Sequence, residues 1–534
     1  MPLRLRVRPA VRRAPALIGI LAAFAAACSK NETTGAIIDT VAVRQPVDPT
    51  YRPSGRAAAG DVFVHLFDWR WDDIASECEA VLAPAGFKPV QVSPPNEHSI
   101  TPNFDWSERY QPVSYALTRS RSGTRDEFVA MVTRCKAVGV DIYVDAVINH
   151  MTNFPSPGVG SAGTAYSKYN YPGLYTQADF HTPCGITNYQ NAANVQDCEL
   201  LSLPDLNTGS PSVRQKLADY LIALNRLGVA GYRIDAAKHI QQSELNQIIA
   251  LVNTAASGEG RPVPYWFLEV IGGNGEAVEP SDYYGEGYSS GGAADITEFT
   301  FVGVGNKFRG INGEHISQLN PNGGSGNTFS AAAWGMMPSD KAVVFLQNHD
   351  TQHDCGIGYR NGMAFRLANV WMLATPYGYP SILSSFAFTC PTGNSQGPPS
   401  DGAGWTTHVK CAASMDVAVL GDWVCEHRDP YIRNMVRFRK VTAGTDVTQW
   451  WDNGGNAIAF SRGTKGFVAI NREGTPVLIS TATGLAAGTY CDLISGGKVG
   501  GACAGTSIVV NAGGAVSFTL PSNQAVAVEV GGRL

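Results

Sequence analysis

Four short apolar runs, each carrying or leading into a carboxylate, constrain this chain more than any other feature. They are IYVDAVINH, GYRIDAAKH, YWFLEV and VVFLQNHD, which end at His150, His239, Val270 and Asp350. An unbroken run of Val, Ile, Leu and Phe is typical of a strand buried on both faces, as in parallel α/β sheets. Because parallel strands end at one edge, their acids would meet there, and in a barrel that edge forms the active site.

A single acid of this kind is explained equally well as the cap of the following helix. Here four carboxylates occur together, and basic and imidazole side chains accompany them. These are Arg233, Lys238, His150, His239 and His349. The concentration favours a site of carboxylate chemistry over a set of helix caps.

Strand and helix patterns alternate along the chain and predict a (β/α)8, or TIM, barrel over residues 60–150 and 208–441. The eight candidate strands are Val62–Phe67, Phe87–Val92, Val140–Ile148, the runs before Asp235 and Glu269, Ile296–Val302, Ala342–Leu346 and Pro380–Leu383. An irregular stretch at 151–207 is too long for a loop and predicts a small inserted domain after the third strand. Short alternating runs over 442–534 predict a C-terminal antiparallel β-sandwich.

Composition limits the classes of partner. The chain has 534 residues, of which 44% are hydrophobic, so it can bury a large core in more than one domain. Its 40 basic and 45 acidic residues give a formal net charge of -5 and no broad field for nucleic acid. Aromatic residues make up 10%, which fits either core packing or stacking surfaces for sugar rings. No nucleic acid partner is expected.

Residues 1–28 have the features of an export signal: several arginines, then an apolar stretch too short to span a bilayer. The end of this segment, Ala25-Ala26-Ala27-Cys28, resembles a bacterial lipobox, in which the cysteine becomes lipid-modified. An ordinary signal peptide is the alternative. The lipobox interpretation predicts a secreted or cell-surface lipoprotein of a bacterium, anchored to the membrane through Cys28. Residues 29–59 predict a flexible linker.

Five sequence blocks carry a family resemblance. They are DAVINH (Asp145–His150), LPDLN (Leu203–Asn207), GYRIDAAKH (Gly231–His239), FLEVI (Phe267–Ile271) and FLQNHD (Phe345–Asp350). Their order and spacing resemble those of α-amylases, glycoside hydrolase family 13, close to the animal-type branch. The resemblance implies a monomer that hydrolyses internal α-1,4-glucosidic bonds of starch with retention, through a covalent glycosyl-enzyme intermediate.

The resemblance also implies the catalytic roles. Retention requires one carboxylate to attack the anomeric carbon and one acid to protonate the leaving oxygen. Asp235 matches the nucleophile, Glu269 the acid/base and Asp350 the third acid, which grips sugar hydroxyls. Arg233 shares a strand face with Asp235 and is expected to keep it ionised. The apolar sequence neighbours of Glu269 are expected to favour its protonated form.

Sugar contacts follow from the same match. The substrate-binding residues that it implies are Trp106, Tyr110, Gln111, Asp145, His150, Arg233, Lys238, His239 and His349. Trp106 corresponds to a stacking platform, since a pyranose face packs well on an aromatic ring; without the resemblance, a buried loop aromatic would be an equally good explanation. The relatives carry two adjacent tryptophans, whereas Trp106 is followed by Ser107, so one sugar subsite is expected to be weaker.

A calcium site is implied as well. Asn149 and Asp205 would supply side-chain oxygens, and Gln196 and His239 backbone carbonyls, a set of hard ligands that suits Ca²⁺. The relatives have arginine where this chain has Gln196, which is immaterial if only the carbonyl binds. Such a site would connect the inserted domain to the barrel.

The 11 cysteines are odd in number, and ten remain to pair in an oxidising compartment if Cys28 carries a lipid. The resemblance implies the pairs Cys78–Cys135, Cys184–Cys198 and Cys491–Cys503. Four cysteines are left, and their pairing stays open. One arrangement joins Cys411 to Cys425 and Cys355 to Cys390.

Chloride is expected to be absent. Animal-type relatives bind chloride beside the acid/base through two arginines and an asparagine, and Arg233 and Asn348 match two of these positions. Ser381 stands at the third, in PYGYPSILSS. Serine brings no charge, so a buried anion would gain too little to offset its desolvation. A water molecule, Arg360 or Arg366 would have to fill the space.

Two other functions compete with an endo-acting α-amylase. A relative that forms a fixed short maltooligosaccharide, or that transfers glycosyl units, would use the same acids and differ in its loops. A starch-binding lipoprotein with an inactive catalytic site belongs to a different class. The presence of Asp235, Glu269 and Asp350 together argues against the second alternative.

Overall fold

A computed structural model describes residues 54–284, 294–323, 328–393 and 395–534. The predicted signal segment 1–28 with its Cys28, and most of the predicted linker 29–59, lie outside the described residues. The last part of that linker forms a helical turn, Arg56–Ala59. Within the described residues, no helix is both long enough and apolar enough to cross a bilayer.

Eight parallel strands close into a barrel, which confirms the predicted fold class. They are β1 (Phe63–Leu66), β2 (Pro89–Val92), β3 (Asp141–Ala146), β4 (Gly231–Ile234), β5 (Tyr265–Leu268), β6 (Ala294–Thr297), β7 (Ala342–Val344) and β8 (Tyr379–Ser384). The barrel closes where β8 pairs with β1, with Phe63 opposite Ser381. Nearly every strand residue is buried, which explains the apolar runs without polar alternation.

Large side chains of the strands fill part of the barrel interior. A cluster inside it is formed by Phe63, Tyr143, Tyr265, Phe267, Val343 and Tyr379. The buried hydroxyl of Tyr265, which belongs to this cluster, donates a hydrogen bond to Asp295 Oδ2 over 2.7 Å. Packing of this kind makes the barrel a core rather than a channel, and it leaves chemistry to the carboxyl edge of the strands.

The sixth strand differs from the sequence prediction of Ile296–Val302. Strand β6 covers Ala294–Thr297, and a 3-10 turn follows at Phe299–Gly303. Glu298 caps this turn by accepting a hydrogen bond from the Thr300 N–H over 3.0 Å. The apolar residues after the strand are buried as part of the turn instead, and a short apolar run does not distinguish the two by periodicity.

Helices surround the barrel. The longer ones are Trp71–Glu77, Arg125–Ala137, Pro211–Arg226, Gln242–Gly258, Val304–Arg309, Met363–Ala374 and Met435–Val441, and single turns lie at Ala83–Ala85, Ala192–Gln196, Ala331–Trp334 and Pro430–Arg433. The first helix continues as a wide turn over Cys78–Leu82. Thr124 begins the second with a capping box, in which Thr124 and Glu127 satisfy each other's backbone N–H groups.

The chain between β3 and the helix Pro211–Arg226 follows an irregular path. It contains a two-residue ladder, Gly158–Val159 with Ala165–Tyr166, and a short helix, Ala192–Gln196. Its end returns to the barrel, where residues 150 and 205 form an antiparallel bridge. The boundaries 151–207 for an inserted domain stay a prediction.

The C-terminal region is antiparallel, as predicted. One sheet has four strands in the order Val447–Asp452, Ala457–Arg462, Gly466–Asn471 and Gln524–Glu529. Two further ladders pair Val477–Ala482 with Ala515–Leu520 and Gly488–Cys491 with Ser507–Val510. A separate apolar cluster that includes Ile479, Val516 and Val528 fills the space between these elements.

Five disulfides form within the described residues. Three are the pairs implied by the resemblance, Cys78–Cys135, Cys184–Cys198 and Cys491–Cys503. The four cysteines that sequence left open pair as Cys355–Cys390 and Cys411–Cys425. The bond between Cys355 and Cys390 joins the loop after β7 to the loop after β8.

Candidate active site

One buried arginine organises the carboxyl edge of the barrel. Arg233 Nη1 lies 2.7 Å from Asp145 Oδ1 and 2.9 Å from Asp235 Oδ1. Its Nη2 lies 2.6 Å from Glu269 Oε1. In the sheet register, Asp145 on β3 pairs with Arg233 on β4, which pairs with Phe267 on β5. Three adjacent strands therefore deliver three carboxylates to one guanidinium.

Asp235 and Glu269 stand at the same level of the barrel. Each follows its strand directly, and the ladder continues through both, because Asp235 N–H donates to the Ala146 carbonyl and Glu269 N–H to the Ile234 carbonyl, each over 3.0 Å. Their carboxylates flank Arg233 on its two terminal nitrogens. An attacking carboxylate and a proton donor placed together are what retaining glycoside hydrolysis requires.

The surroundings of Glu269 differ from the sequence expectation. Its immediate neighbours Leu268 and Val270 point to the large core cluster, and Phe267, on the same face as Glu269, packs in the cluster inside the barrel. Glu269 Oε2 instead accepts a hydrogen bond from the Ala236 N–H over 2.8 Å, while Oε1 faces Arg233. Alternation along a strand sends consecutive side chains to opposite faces, so sequence neighbours are not spatial neighbours.

Burial shifts the pKa values of three aspartates of the cluster, Asp145, Asp235 and Asp350. Burial, followed by the charge of Glu269, raises the pKa of Asp235, and Arg233 opposes the shift. Burial also raises the pKa of Asp145 and of Asp350. Arg233 favours the ionised form of Asp235, as the sequence predicts, but burial and the charge of Glu269 outweigh it, so the pKa of Asp235 is raised overall. Such a cluster can hold one carboxyl protonated beside an ionised neighbour.

Asp350 lies in the turn after β7. The Asn348 side-chain oxygen accepts hydrogen bonds from the Asp350 and Thr351 N–H groups, over 3.1 and 2.8 Å, and so fixes the turn. His349 Nε2 is 3.4 Å from Asp350 Oδ2, and the His349 ring stacks on Tyr110 at 4.7 Å. Burial, helped by the charge of Arg233, lowers the pKa of His349, so the ring is neutral. The Asp350 carboxylate is 28% exposed and faces the cleft.

Asp145 is satisfied by the protein itself. Besides Arg233, it accepts hydrogen bonds from the Tyr110 hydroxyl over 2.9 Å and from Gln91 Nε2 over 3.2 Å. The Tyr110 carbonyl in turn lies 3.0 Å from His150 Nε2, and burial lowers the pKa of His150 to about 4. These bonds hold Tyr110, which lies on the loop after β2, against the end of β3.

The remaining residues expected to contact sugar lie around this cluster. Gln111 Oε1 accepts a hydrogen bond from the Thr152 hydroxyl over 3.1 Å. Lys238 Nζ donates to the Ile271 carbonyl over 2.6 Å and forms an ion pair with Glu276. His239 Nδ1 lies 2.9 Å from a carbonyl of the short helix Ala192–Gln196, so its ring connects the irregular segment to the barrel.

Trp106 begins a 3-10 turn, Trp106–Tyr110, on the loop after β2. Asp105 caps this turn by accepting a hydrogen bond from the Ser107 N–H over 2.8 Å. The indole of Trp106 is partly exposed and stacks on the His353 ring, with centroids 4.7 Å apart and planes 9° apart. The platform that sequence placed here therefore has an aromatic support from the loop after β7.

Two contacts link the segments that carry the four residues expected to hold calcium. Asp205 is paired in backbone register with His150, next to Asn149, and the His239 ring bonds the residue before Gln196. Asp205 Oδ1 is buried without a hydrogen-bond partner among the described residues, while Oδ2 lies 2.7 Å from His181 Nδ1. Burial raises the pKa of Asp205 to about 7. A buried carboxylate oxygen without a hydrogen-bond partner fits a hard divalent cation.

The place where animal-type relatives are expected to bind chloride is a small cavity in this protein. Arg233, Asn348 and Ser381 line a space of about 20 Å³, together with other side chains that include His65 and Gln347. This volume holds about one water molecule.

Neither arginine considered as a replacement reaches this cavity. Arg366 pairs with Asp416 and Asp429, both over 2.8 Å. Arg360 lies over the Phe388 ring, with its guanidinium carbon 4.6 Å from the ring centroid.

Several residues of the site were missed by sequence reasoning. Gln91 could have been found, because it is the one polar side chain in the buried run PVQV of β2. His181, Glu276 and His353 gave no such signal. They lie on irregular segments, where no periodicity predicts which way a side chain faces.

Comparison with known proteins agrees with this geometry. A family model described as "Alpha amylase, catalytic domain" matches residues 87–250, and one described as "Alpha amylase, C-terminal all-beta domain" matches residues 450–531. An α-amylase of Tenebrio molitor is 42% identical over 490 residues, covering 90% of this chain and 99% of that protein. One from Tribolium castaneum is 42% identical over 496 residues, covering 90% and 96%.

A solved structure matches over nearly the whole chain as well. The crystal structure of wild-type α-amylase I from the earthworm Eisenia fetida aligns with a TM-score of 0.78 and 37% identity, covering 91% of this chain and all of that one. A variant of the same earthworm protein was solved in complex with maltohexaose.

These relatives correct one prediction. They come from insects and an earthworm and point to an animal origin, so the expected bacterial cell-surface lipoprotein is wrong. The lipobox-like Ala-Ala-Ala-Cys sequence was too short a pattern to carry that conclusion. At the identity and coverage found, the chain belongs to the α-amylases, as an animal-type member of glycoside hydrolase family 13.

Proposed function

We propose that this α-amylase hydrolyses internal α-1,4-glucosidic bonds of starch and related α-glucans with retention, using Asp235 as nucleophile and Glu269 as acid/base. The observation that carries the proposal is the placement of both carboxylates on the two terminal nitrogens of Arg233, at the carboxyl edge of the barrel. Asp350 approaches the same cleft from the loop after β7 and is partly exposed to it.

The chemistry follows in two steps. Asp235 attacks the anomeric carbon while Glu269 gives its proton to the leaving glycosidic oxygen, which forms a glycosyl ester on Asp235. Glu269 then takes a proton from water, which attacks the same carbon and releases Asp235. Arg233 balances the charge that moves between the two acids, and Asp350 binds sugar hydroxyls as positive charge develops on the ring.

Isosteric variants test these roles. Glu269→Gln and Asp235→Asn should each lose at least about three orders of magnitude in kcat on maltoheptaose, because each removes one of the two groups that the mechanism needs. Asp295→Asn is a matched control: Asp295 is a buried acid of the same barrel, bonded to Tyr265, away from the carboxyl edge. Substantial activity of the first two variants, or an equal loss in the control, would remove the assignment.

The mode of attack needs a separate measurement. Internal cleavage lowers the viscosity of an amylose solution before reducing ends accumulate, whereas the release of a fixed short maltooligosaccharide does the opposite. Products larger than maltotriose, formed from maltotriose itself, would indicate glycosyl transfer. Binding of starch without products would indicate an inactive binding protein. The presence of Asp235, Glu269 and Asp350 together argues against that outcome.

The residues that would hold Ca²⁺ are Asn149, Asp205 and the carbonyls of Gln196 and His239. The orphaned Oδ1 of Asp205 supports this assignment, because a buried carboxylate oxygen without a donor is costly unless a cation faces it. There the ion would connect the segment before Pro211 to the barrel. All the proposed acids belong to one barrel, so the enzyme is expected to act as a monomer.

We further propose that activity does not depend on chloride. Ser381 lines the same cavity as Arg233 and Asn348 and adds no positive charge to it. Arg233 already faces three carboxylates, so an anion in the cavity would have no cation of its own. The desolvation of a buried anion would then exceed its gain.

A further inference from the structure

Three aromatic rings from three loops pack in a row: the Trp106 and His353 rings are stacked, and the Phe388 ring is tilted by 33° against His353. Trp106 comes from the loop after β2, His353 from the turn after β7 and Phe388 from the segment after β8. The Trp106 and His353 centroids are 4.7 Å apart, and the His353 and Phe388 centroids are 4.4 Å apart. We call these three residues the ring stack. The three loops follow β2, β7 and β8, which belong to the continuous run β2, β1, β8 and β7 in the barrel order.

The central ring is buried between the other two, and of its nitrogens Nε2 lies 3.2 Å from Gln352 Nε2. His353 is 2% exposed, and its Nδ1 is buried without a hydrogen-bond partner among the described residues. Burial lowers the pKa of His353 to about 3, so the ring stays neutral over the working pH range. A buried neutral imidazole between two aromatic rings is held by packing.

A disulfide closes the same contact covalently. Cys355 follows His353 by two residues, and Cys390 follows Phe388 by two, so the bond lies directly beyond the stacked pair. The backbone N–H of His353 also donates to the Asp350 carbonyl over 3.0 Å. The disulfide and the ring stack are therefore both linked to the turn that carries the third acid, Asp350.

We propose that the Cys355–Cys390 disulfide and the rings of His353 and Phe388 form a brace that positions Trp106 as the sugar-stacking platform of this enzyme. His353 and Phe388 are positioning residues, which act through Trp106. The brace compensates for Ser107, which adds no second aromatic surface to the turn, by fixing the single indole from behind. The proposal rests on the proposed function, because it assumes that Trp106 contacts the substrate.

The prediction is a change in substrate affinity with little change in chemistry. Cys355→Ala/Cys390→Ala and His353→Ala should each raise KM for maltoheptaose roughly three- to tenfold, the range expected for one lost aromatic contact. Their kcat should stay within about threefold of wild type, since neither change touches Asp235 or Glu269. His353→Phe keeps a planar ring and should restore KM to within about twofold. Cys491→Ala/Cys503→Ala, in the C-terminal region, is the matched control and should leave KM unchanged.

Calorimetric titration of maltoheptaose into the same variants on a Glu269→Gln background measures affinity without turnover. If the brace variants are folded by thermal melting and keep the wild-type KM and affinity, or if the control pair weakens binding equally, the brace is wrong. Phe388→Leu removes a ring without touching the disulfide. If the cysteine variant does not fold, a raised KM in Phe388→Leu supports the brace and an unchanged KM contradicts it. Failure of the proposed function can be told apart from failure of the brace. In the first case wild type would not cleave maltoheptaose, or Glu269→Gln would remain active.

Discussion

Replacement of Arg121 by methionine should be among the most damaging single changes outside the catalytic cluster. The Arg121 side chain is fully buried, and its Nη1 lies 2.5 Å from Glu108 Oε2. Its Nη2 donates to Ser400 Oγ over 2.5 Å, and its Nε donates to the Gly404 carbonyl. One guanidinium therefore joins the turn that carries Trp106 to the long loop after β8.

The magnitude follows from what Arg121→Met leaves behind. Methionine fills much of the volume but donates nothing, so Glu108 becomes a buried charge without a counter-charge. Breaking a buried ion pair in this way costs about 3–5 kcal/mol. Glu108 Oε1 keeps two hydrogen bonds, from the Thr101 N–H over 2.5 Å and its hydroxyl over 2.6 Å, which offsets part of the loss. With two neutral acceptors also left unpaired, we expect a loss of about 4 kcal/mol in the free energy of unfolding.

Urea denaturation at 25 °C measures this loss, and a rise in KM for maltoheptaose should accompany it, because the loosened turn carries Trp106. Arg134→Met is the control. Arg134 pairs with Glu79 over 2.6 Å at the surface, where both side chains are 40% exposed, so its loss should cost less than about 1 kcal/mol. Glu108→Gln combined with Arg121→Met should recover part of the stability by removing the orphaned charge. Equal costs for the two arginine variants would refute the role assigned to burial.

Three further predictions concern pH, metal and anion. Burial raises the pKa of Glu426 to about 8 from its ordinary 4.5, so the folded state keeps a proton that the unfolded chain releases. The free energy of unfolding should therefore fall by roughly 4 kcal/mol from about pH 5 to pH 8 relative to Glu426→Gln, and parallel pH profiles would contradict this. Chelation of Ca²⁺ should lower the free energy of unfolding by about 3 kcal/mol if the ion is present at a hundred times its Kd. Tm and activity should fall together, and Asp205→Asn should abolish that response. Activity on starch in halide-free buffer should not rise when chloride is added at fixed ionic strength, whereas saturable activation would show that Ser381 does not prevent anion binding.

The sequence alone was sufficient to predict the barrel and to place candidate acids at the ends of its strands. Strands buried on both faces must be apolar throughout, so the runs that end near Asp235, Glu269 and Asp350 indicated a parallel sheet before any contact was known. Parallel strands end at a common edge, so those acids had to lie near one another. These conclusions depend on burial and on chain direction, and both can be inferred from a short stretch of sequence.

The tertiary structure decided which groups face one another. Arg233 was expected to serve Asp235, yet it also contacts Asp145 and Glu269, because three strands bring their ends to one point. The polar setting of Glu269 was likewise invisible in its apolar sequence neighbours. Both facts depend on residues far apart along the chain, whose meeting no local periodicity encodes.

The loops show the same limit most clearly. The pairing of Cys355 with Cys390, and the place of His353 between Trp106 and Phe388, arise from three connections that converge over the barrel. Loop residues follow neither a helical nor a strand period, so their partners are set only when the barrel fixes the ends of each loop. Sequence therefore determined the scaffold and its acids, and folding alone determined how the loops support the site.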